Sequence, residues 1–530
     1  MIRGGMGKNC CLLSEEDNME NKARRQGDFI MQHKKYHSLI LFVLGFGMFL
    51  FTRMSKFVPT IPVTILIAPI FLLRFIRTQP KTRGIVFTLL GFLAIMNIGL
   101  WGIFDDVAGV SSLVFNLIRS SLLALLYFLP FMLDRLIYPK FKDKGAFSTL
   151  TFPVITTAVF FFLTIEGPFE GSYQMGKFLY GPTILQQLIS LFGLPASVFI
   201  TSWFASVVNY AWEHEWTWNT SKTVAITYSV LLVAVLIYGV VYTSSLVGPE
   251  SDTVKVAAIN FPPEDGKSVS METIFYQKIT SPFEKRLSKI EHATNIAASN
   301  GAKIVSFQEF AIVINEEDRE RLIQRCQDIA QAHNVYFSLT YAYFAQEGKG
   351  KNIHLLLDHT GEILLEYQKK YLAGMGDMGE TRVFAKGPEI LQSVETPYGR
   401  ISVSVCREID MAKYMVQAGR QGVDIMLSSS YEWPQNLVIN FGYMRGIESG
   451  FSLVRPTYNG ITFASDFNGR ILNQMAFGDT VDDGVGIMYA EVPTQGVSTL
   501  YPHIGDIFGW ICVVGFVGFI GVSLIQRNKN

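Results

Sequence analysis

The chain has 530 residues, of which 49% are apolar, 13% aromatic and only 17% charged, against about 25% charged in an ordinary soluble domain. Lysine plus arginine (45) balances aspartate plus glutamate (45), which removes the electrostatic footprint of a nucleic-acid binder. Five cysteines (Cys10, Cys11, Cys326, Cys406 and Cys512) are too scattered for a disulfide framework and none has zinc-ligand spacing, so neither a metal site nor a cofactor is expected.

Residues 1–36 are polar, show no cleavable signal-peptide pattern, and are expected to be cytoplasmic. Residues 37–247 then read as apolar stretches separated by short polar turns, with spans predicted near 38–52, 57–75, 84–104, 111–132, 148–165, 190–211 and 223–244. Crossing the hydrocarbon takes about 20 helical residues. The first span is short and the second contains Pro59, Pro62 and Pro69, so this pair reads either as two spans or as a re-entrant hairpin. Residues 254–495 return to ordinary charge, with apolar strands alternating with Lys- and Glu-rich helical stretches, and 504–525 form an eighth, charge-free span. A soluble domain is thus expected between spans seven and eight. With the N-terminus inside, the inner loops hold 18 Lys and Arg and the outer turns three (Arg53, Lys56 and Lys177). That bias places the soluble domain outside the membrane.

Three segments of that domain put a reactive side chain at a strand end. The stretch 302–309 delivers Glu309, 363–372 ends on Lys369 and Lys370, and 400–408 leads to Cys406. Cys406 precedes a helical stretch from Met411 to Gly419, and a thiol at a helix N-terminus is biased towards thiolate. Singly, each is weak: a buried cysteine is usually inert, and charged residues at strand ends are usually solvated rim. Together they supply a nucleophile, a base to take its proton (Glu309) and a cation to hold an oxyanion (Lys369). None of the eight histidines lies in a motif beside Cys406, which argues against a Cys–His design.

The ordered pieces Phe307-Gln308-Glu309, Tyr367-Gln368-Lys369-Lys370-Tyr371-Leu372 and Val405-Cys406-Arg407-Glu408 resemble the nitrilase, or carbon–nitrogen hydrolase, superfamily. So do the stretches 427–433, 444–448, 455–462 and 466–470. A nitrilase domain between the last two of eight membrane helices resembles the apolipoprotein N-acyltransferase family in particular, as do 171–174, 184–188 and 191–195. The resemblance implies a polytopic α-helical membrane domain plus an inserted α/β nitrilase-like αββα sandwich, in a bacterial cytoplasmic (inner) membrane. It implies a phospholipid acyl donor, a diacylated apolipoprotein acceptor and a Glu309–Lys369–Cys406 trio acting through a Cys thioester. The same trio also suits a membrane-tethered amidohydrolase, and a non-enzymatic lipid or lipoprotein receptor could keep the fold.

Around the trio, Arg407 replaces a Tyr common in the family and is a candidate for lipid phosphate or a surface ion pair; its backbone N–H is a second oxyanion donor. Glu408 matches the family pattern. A further family Glu corresponds by spacing to Asp377, with Glu380 nearby; both remain candidates. Glu448 is expected close behind the site, supporting its charges. Tyr173, Gln174 and Trp203 are candidates for the lipid entrance or for an interfacial aromatic belt. Arg119 falls inside an apolar span, where it is costly and either binds a headgroup or is structurally paired.

Overall fold

The computed structural model describes residues 36–52, 59–101, 112–164, 184–244, 252–261, 274–275, 277–374, 379–432, 442–480 and 484–528. The N-terminal part is helical: α1 (Tyr36–Leu50), α2 (Thr64–Thr78), α3 (Lys81–Gly99), α4 (Ser112–Ile137), α5 (Thr151–Thr164), α6 (Ile189–Glu213) and α7 (Trp218–Thr243). Five of these, α3 to α7, are long and apolar enough to cross a membrane once the short 3₁₀ turns flanking α4, α5 and α6 are counted. Among the described residues, the C-terminal helix makes six. The two earliest expected spans come out short. α1 is an apolar helix of fewer than 18 residues, and α2 has 15 and starts only after Pro62, because Pro59 and Pro62 cannot extend it backwards.

The apolar faces of these helices meet in aromatic contacts, such as Phe49 edge-on to Phe92 and Tyr127. At one end of the bundle Arg77 donates twice to Asp134 (2.8 Å each), and Glu213 accepts from Tyr138. Three helix C-termini are thereby tied together. Trp203, a candidate for a lipid entrance or an aromatic belt, is half-buried, donates to Thr149 (3.1 Å) and packs edge-on against Tyr228. Arg119 is half-buried on α4, on the side of Asn116 and Ser120.

The soluble part is built from βαβ units. The first half holds β1 (Thr253–Asn260), α8 (Phe283–Ser299), β2 (Ile304–Phe307), β3 (Ile312–Asn315), α9 (Arg319–His333), β4 (Tyr336–Phe344), β5 (Lys351–Leu357) and β6 (Ile363–Gln368), then α10 (Glu380–Val383). The second holds β7 (Ser393–Thr396), β8 (Gly399–Val405), α11 (Ala412–Gln421), β9 (Ile425–Tyr431), α12 (Tyr443–Ser449), β10 (Ser452–Arg455), β11 (Thr457–Tyr458), β12 (Thr462–Ser465), β13 (Ile471–Met475) and β14 (Gly486–Pro493). α13 (Tyr501–Ile504) and the long apolar α14 (Ile507–Asn528) follow.

One sheet runs β14-β1-β2-β4-β5-β6 and the other β13-β12-β10-β9-β8-β7, with β3 and β11 attached to β4 and β9. β1, β2 and β4 are parallel, as are β8, β9 and β10, because a helix closes each crossover. Strands of this kind are covered on both faces and read as nearly continuous apolar runs. In β1, Ala257 and Ile259 face α8 and α9 through Leu287, Ile290, Cys326 and Ile329. Val256 and Ala258 face the second sheet instead. Helices, two sheets and helices thus stack as the expected αββα sandwich.

The sandwich seats on the bundle through α12 and α6. Gln187 donates to the Asn468 carbonyl (3.0 Å) and Gln186 to the Tyr443 hydroxyl (3.3 Å). Inside α6, Gly193 adopts a left-handed φ of 68° ahead of Pro195, which breaks the helix. The freed Leu194 N–H donates to Glu448 (3.1 Å), itself ion-paired with Arg445. A Cβ on Gly193 would sit 2.4 Å from the Tyr501 ring, besides straining the backbone. Gly193→Ala is therefore expected to destabilise this seat by about 1–3 kcal/mol. Thermal unfolding of the detergent-solubilised chain checks this, an unchanged midpoint being the contrary result.

Candidate active site

Four elements deliver the site. Glu309 lies two residues past β2, Lys369 directly after β6, Cys406 directly after β8, and Tyr431 closes β9. All are carboxyl ends of strands, where open α/β sheets collect their ligands.

Lys369 is completely buried and spends its three N–H donors on two carboxylates: Glu309 Oε1 (2.8 Å), Glu380 Oε1 (2.9 Å) and Glu380 Oε2 (2.8 Å). Asn352 donates to both carboxylates, at 2.9 Å to Glu309 and 3.2 Å to Glu380. The Tyr431 N–H holds Glu309 Oε2 (2.9 Å) and the Ala373 N–H holds Glu380 Oε2 (2.6 Å). Burial pushes the Glu309 carboxyl above the ordinary carboxylate range; Lys369 pulls it back and the neighbouring Glu380 charge adds to the rise. Burial also works against the Lys369 charge, but Glu309 and Glu380 outweigh it and hold the ammonium well above the usual lysine range.

Cys406 is partly exposed, and its thiol donates to the Tyr431 carbonyl (3.4 Å). One backbone residue, Tyr431, thus contacts both the thiol and the Glu309 carboxylate. The expected helix-dipole activation is absent. Cys406 opens a 3₁₀ turn (Cys406–Asp410), and α11 starts only at Ala412, because the chain first bends to let Glu408 reach back. Burial, then the Glu309 charge, push the thiol well above its ordinary range, with Lys369 only partly compensating. A resident base, rather than a standing thiolate, is what this thiol requires.

Both flanking backbones are strained: Cys406 has φ 53° and Phe310, directly after Glu309, φ 54°. Non-glycine residues hold such values only when their surroundings over-determine them. At Cys406 the determinant is Arg455. Its guanidinium is buried and donates to the Cys406 carbonyl (3.3 Å from each terminal nitrogen), to Ser428 and Ser430 (2.8 Å each) and to Glu432 (2.8 Å). Glu408 is the second determinant. It accepts from Tyr367 (2.6 Å), Lys370 N–H (2.6 Å), Tyr371 N–H (3.2 Å) and Val405 N–H (2.7 Å), stapling the lysine turn to the cysteine turn. Burial lifts its carboxyl to about 7 against the pull of those bonds.

The expected trio is therefore brought together, with Glu380 as a fourth member and Glu408 as the staple. Asp377, Tyr173 and Gln174 lie outside the described residues. Glu448 does not touch the trio. Its partner Arg445 holds the Asp410 carbonyl (2.9 Å), at the far end of the cysteine turn, so the reach to the site is indirect. Arg407 sits half-buried beside Cys406 and lines a cavity.

Sequence reasoning missed Asn352, Tyr431 and Arg455. Arg455, closing a strand of four buried residues, was a detectable signal, since a buried guanidinium must find acceptors. His354 was also passed over. It lies between the sheets, accepting from or donating to Ser338 (2.7 Å) and meeting the Ser404 carbonyl (3.2 Å), with burial lowering it to about 4, so it is neutral.

Residues 255–500 match the family model described as carbon-nitrogen hydrolase. That segment is a carbon-nitrogen hydrolase domain of the nitrilase superfamily, joined here to a set of apolar helices. The relatives that it resembles include apolipoprotein N-acyltransferases. The one from Geobacter metallireducens is 28% identical over 195 residues, covering 34% of this chain and 34% of that protein. The one from Haemophilus ducreyi is 22% identical over 276 residues, covering 47% and 52%. Human deaminated glutathione amidase is 29% identical over 116 residues, covering 20% and 36%. The chain thus aligns with about half or less of the length of these relatives. Among solved structures, an amidase from Nesterenkonia sp. is 16% identical with a TM-score of 0.37, covering 48% of this chain and 95% of that one.

The chemistry open to this arrangement is proton transfer from the Cys406 thiol to Glu309. Glu309→Gln keeps the shape but removes the base, and is expected to slow alkylation of Cys406 by iodoacetamide by at least about 10²-fold. In the parent, alkylation rises with pH through the elevated Glu309 value. Equal rates in the two proteins at neutral pH are the contrary result.

Proposed function

We propose that the protein is a membrane acyltransferase that moves an acyl chain from a phospholipid, through a Cys406 thioester, to the N-terminal amine of a diacylglyceryl-cysteine lipoprotein. The observation that carries this reading is the Glu309–Lys369–Glu380 cluster closing on the Cys406 turn, in a domain seated on a bundle of apolar helices. The names of the apolipoprotein N-acyltransferase relatives support it.

In the first half-reaction Glu309 takes the thiol proton as sulfur attacks the ester carbonyl. The developing oxyanion is met by Lys369, which must lend it one of the donors now given to Glu380, and by the Arg407 N–H. Collapse expels the glycerol alkoxide, which takes the proton from Glu309 and leaves as a lysophospholipid. In the second half, the lipoprotein amine attacks the thioester and gives its proton to Glu309. The departing thiolate is then reprotonated, so Glu309 carries one proton per step and no net charge is created in the buried cluster.

Membrane association supplies the acyl chain. Each methylene brought into water costs about 0.8 kcal/mol, so a nucleophile at the bilayer surface avoids extracting the chain. The bundle end bearing Arg74, Arg77, Arg135 and Lys140 lies away from the sandwich, since α6 reaches Glu448 near its start and Glu213 at its end. Cationic ends face the cytoplasm, which supports an extracytoplasmic catalytic domain in an inner membrane.

Intact-mass analysis after incubation with phosphatidylethanolamine tests the reading. The expected result is one hydroxylamine-labile acyl adduct in the parent and none in Cys406→Ala. Ammonia release from small amides with no adduct would replace it with the amidohydrolase reading.

A further inference from the structure

Beside the buried cluster lies a cavity of about 700 Å³ with an unusual charge balance. Its lining includes Lys349, Lys370, Lys386 and Arg407, against a single carboxylate, Glu389. Two of the cations are satisfied within the protein: Lys370 by Glu389 (2.8 Å) and Lys349 by the Thr381 carbonyl (2.5 Å). Lys386 and Arg407 make no hydrogen bond or ion pair among the described residues. The apolar part of the lining is Tyr371, Leu372 and Phe384.

Like charges crowded around one concavity repel each other, and low-dielectric walls strengthen their field towards an anionic guest. The placement is as telling as the charge. Arg407 directly follows Cys406, and Lys370 directly follows Lys369, so the cavity shares both backbone turns with the reacting groups. A guanidinium suits a phosphate because its planar fork can give two parallel hydrogen bonds, whereas a lysine ammonium adds a compact point charge. In a glycerophospholipid only the short glycerol unit separates phosphate from ester carbonyl, which matches a cation on the residue adjoining the nucleophile.

We propose that this cavity is an anion subsite in which Arg407 and Lys386 hold the phosphate of a phosphodiester-bearing lipid while Tyr371, Leu372 and Phe384 pack against its glyceryl portion. The lipid identity rests on the acyl-transfer reading; the anion subsite itself rests on the cavity. Glu389, by neutralising Lys370, leaves Lys386 and Arg407, which have no partner among the described residues, as the phosphate contacts. Donor selectivity in this protein is then set in part by charge at this cavity.

The test uses the full chain in dodecyl maltoside, which carries no phosphorus, with dihexanoylphosphatidylglycerol and inorganic phosphate as probes. The parent is expected to broaden the ³¹P signal of the lipid, and the Lys386→Ala, Arg407→Ala double variant to lose that effect. Acylation of Cys406 is measured in parallel from phosphatidylglycerol and from the uncharged donor p-nitrophenyl palmitate. The double variant is expected to lose at least about tenfold of the parent's preference for the charged donor, and Arg407→Lys, which keeps the charge but not the fork, to lose part of it. An unchanged preference, or no broadening by the parent, overturns the subsite and leaves the thioester chemistry standing. Broadening of inorganic phosphate alone overturns the headgroup assignment in favour of a free-phosphate site. Lipid broadening that the double variant abolishes, with no thioester from any phospholipid, would sink acyl transfer while keeping the subsite.

Discussion

The Lys369 ammonium, buried between the carboxylates of Glu309 and Glu380, is the interaction on which the remainder of the site depends. A buried ion pair is a poor source of net stability, because desolvation of the charges offsets their attraction, but removing one partner strands the other at a cost of several kcal/mol. Two carboxylates and one ammonium leave the cluster one negative charge in excess. Burial raises Glu309, Lys369 pulls it back and the excess charge on Glu380 adds to the rise, and a raised carboxyl is what a proton acceptor for a thiol needs. When the proton passes from Cys406 to Glu309, negative charge moves from oxygen to sulfur within reach of the same ammonium. The buried charge is redistributed, not increased.

The backbone around the cluster is held to match. Arg455 grips the Cys406 carbonyl and Glu408 grips the amides on either side of the two turns, so the left-handed conformation at Cys406 is fixed by two buried charged groups. Glu448 and Arg445 extend this line from the cysteine turn to the break in α6. Chemistry in the sandwich and packing in the bundle therefore share a continuous chain of hydrogen bonds.

Much of this was legible in the sequence because the pattern was local. Uninterrupted apolar runs such as 225–242 have no other solvent than a bilayer, and strands followed at once by Glu309, Lys369 and Cys406 announce their chemistry by position. What stayed hidden was non-local. Of the two acidic candidates near the lysine, Glu380 contacts Lys369, a pairing that spacing along the chain did not single out, while Asp377 lies outside the described residues. Asn352 and Tyr431 act through positions that tertiary pairing alone reveals. The helix-dipole expectation for Cys406 failed for a different reason: a carboxylate two residues on, Glu408, turned back to take the Val405 N–H, so that a 3₁₀ turn stands where an α-helix would have started. The second early span came out short because Pro59 and Pro62 limit where its helix can start, and the first, which has no proline, is short already in the sequence.

The account stands or falls on the Glu380 charge adding to the proton affinity that burial gives Glu309 in the cluster the two share around Lys369. The direct measurement is the pH dependence of Cys406 alkylation in the parent and in Glu380→Gln. Neutralising Glu380 removes the like charge that raises Glu309 and leaves Lys369 to it alone, so the rising limb is predicted to shift to lower pH. A limb that stays in place, or moves to higher pH, would contradict the shared-lysine cluster as the device that prepares the thiol.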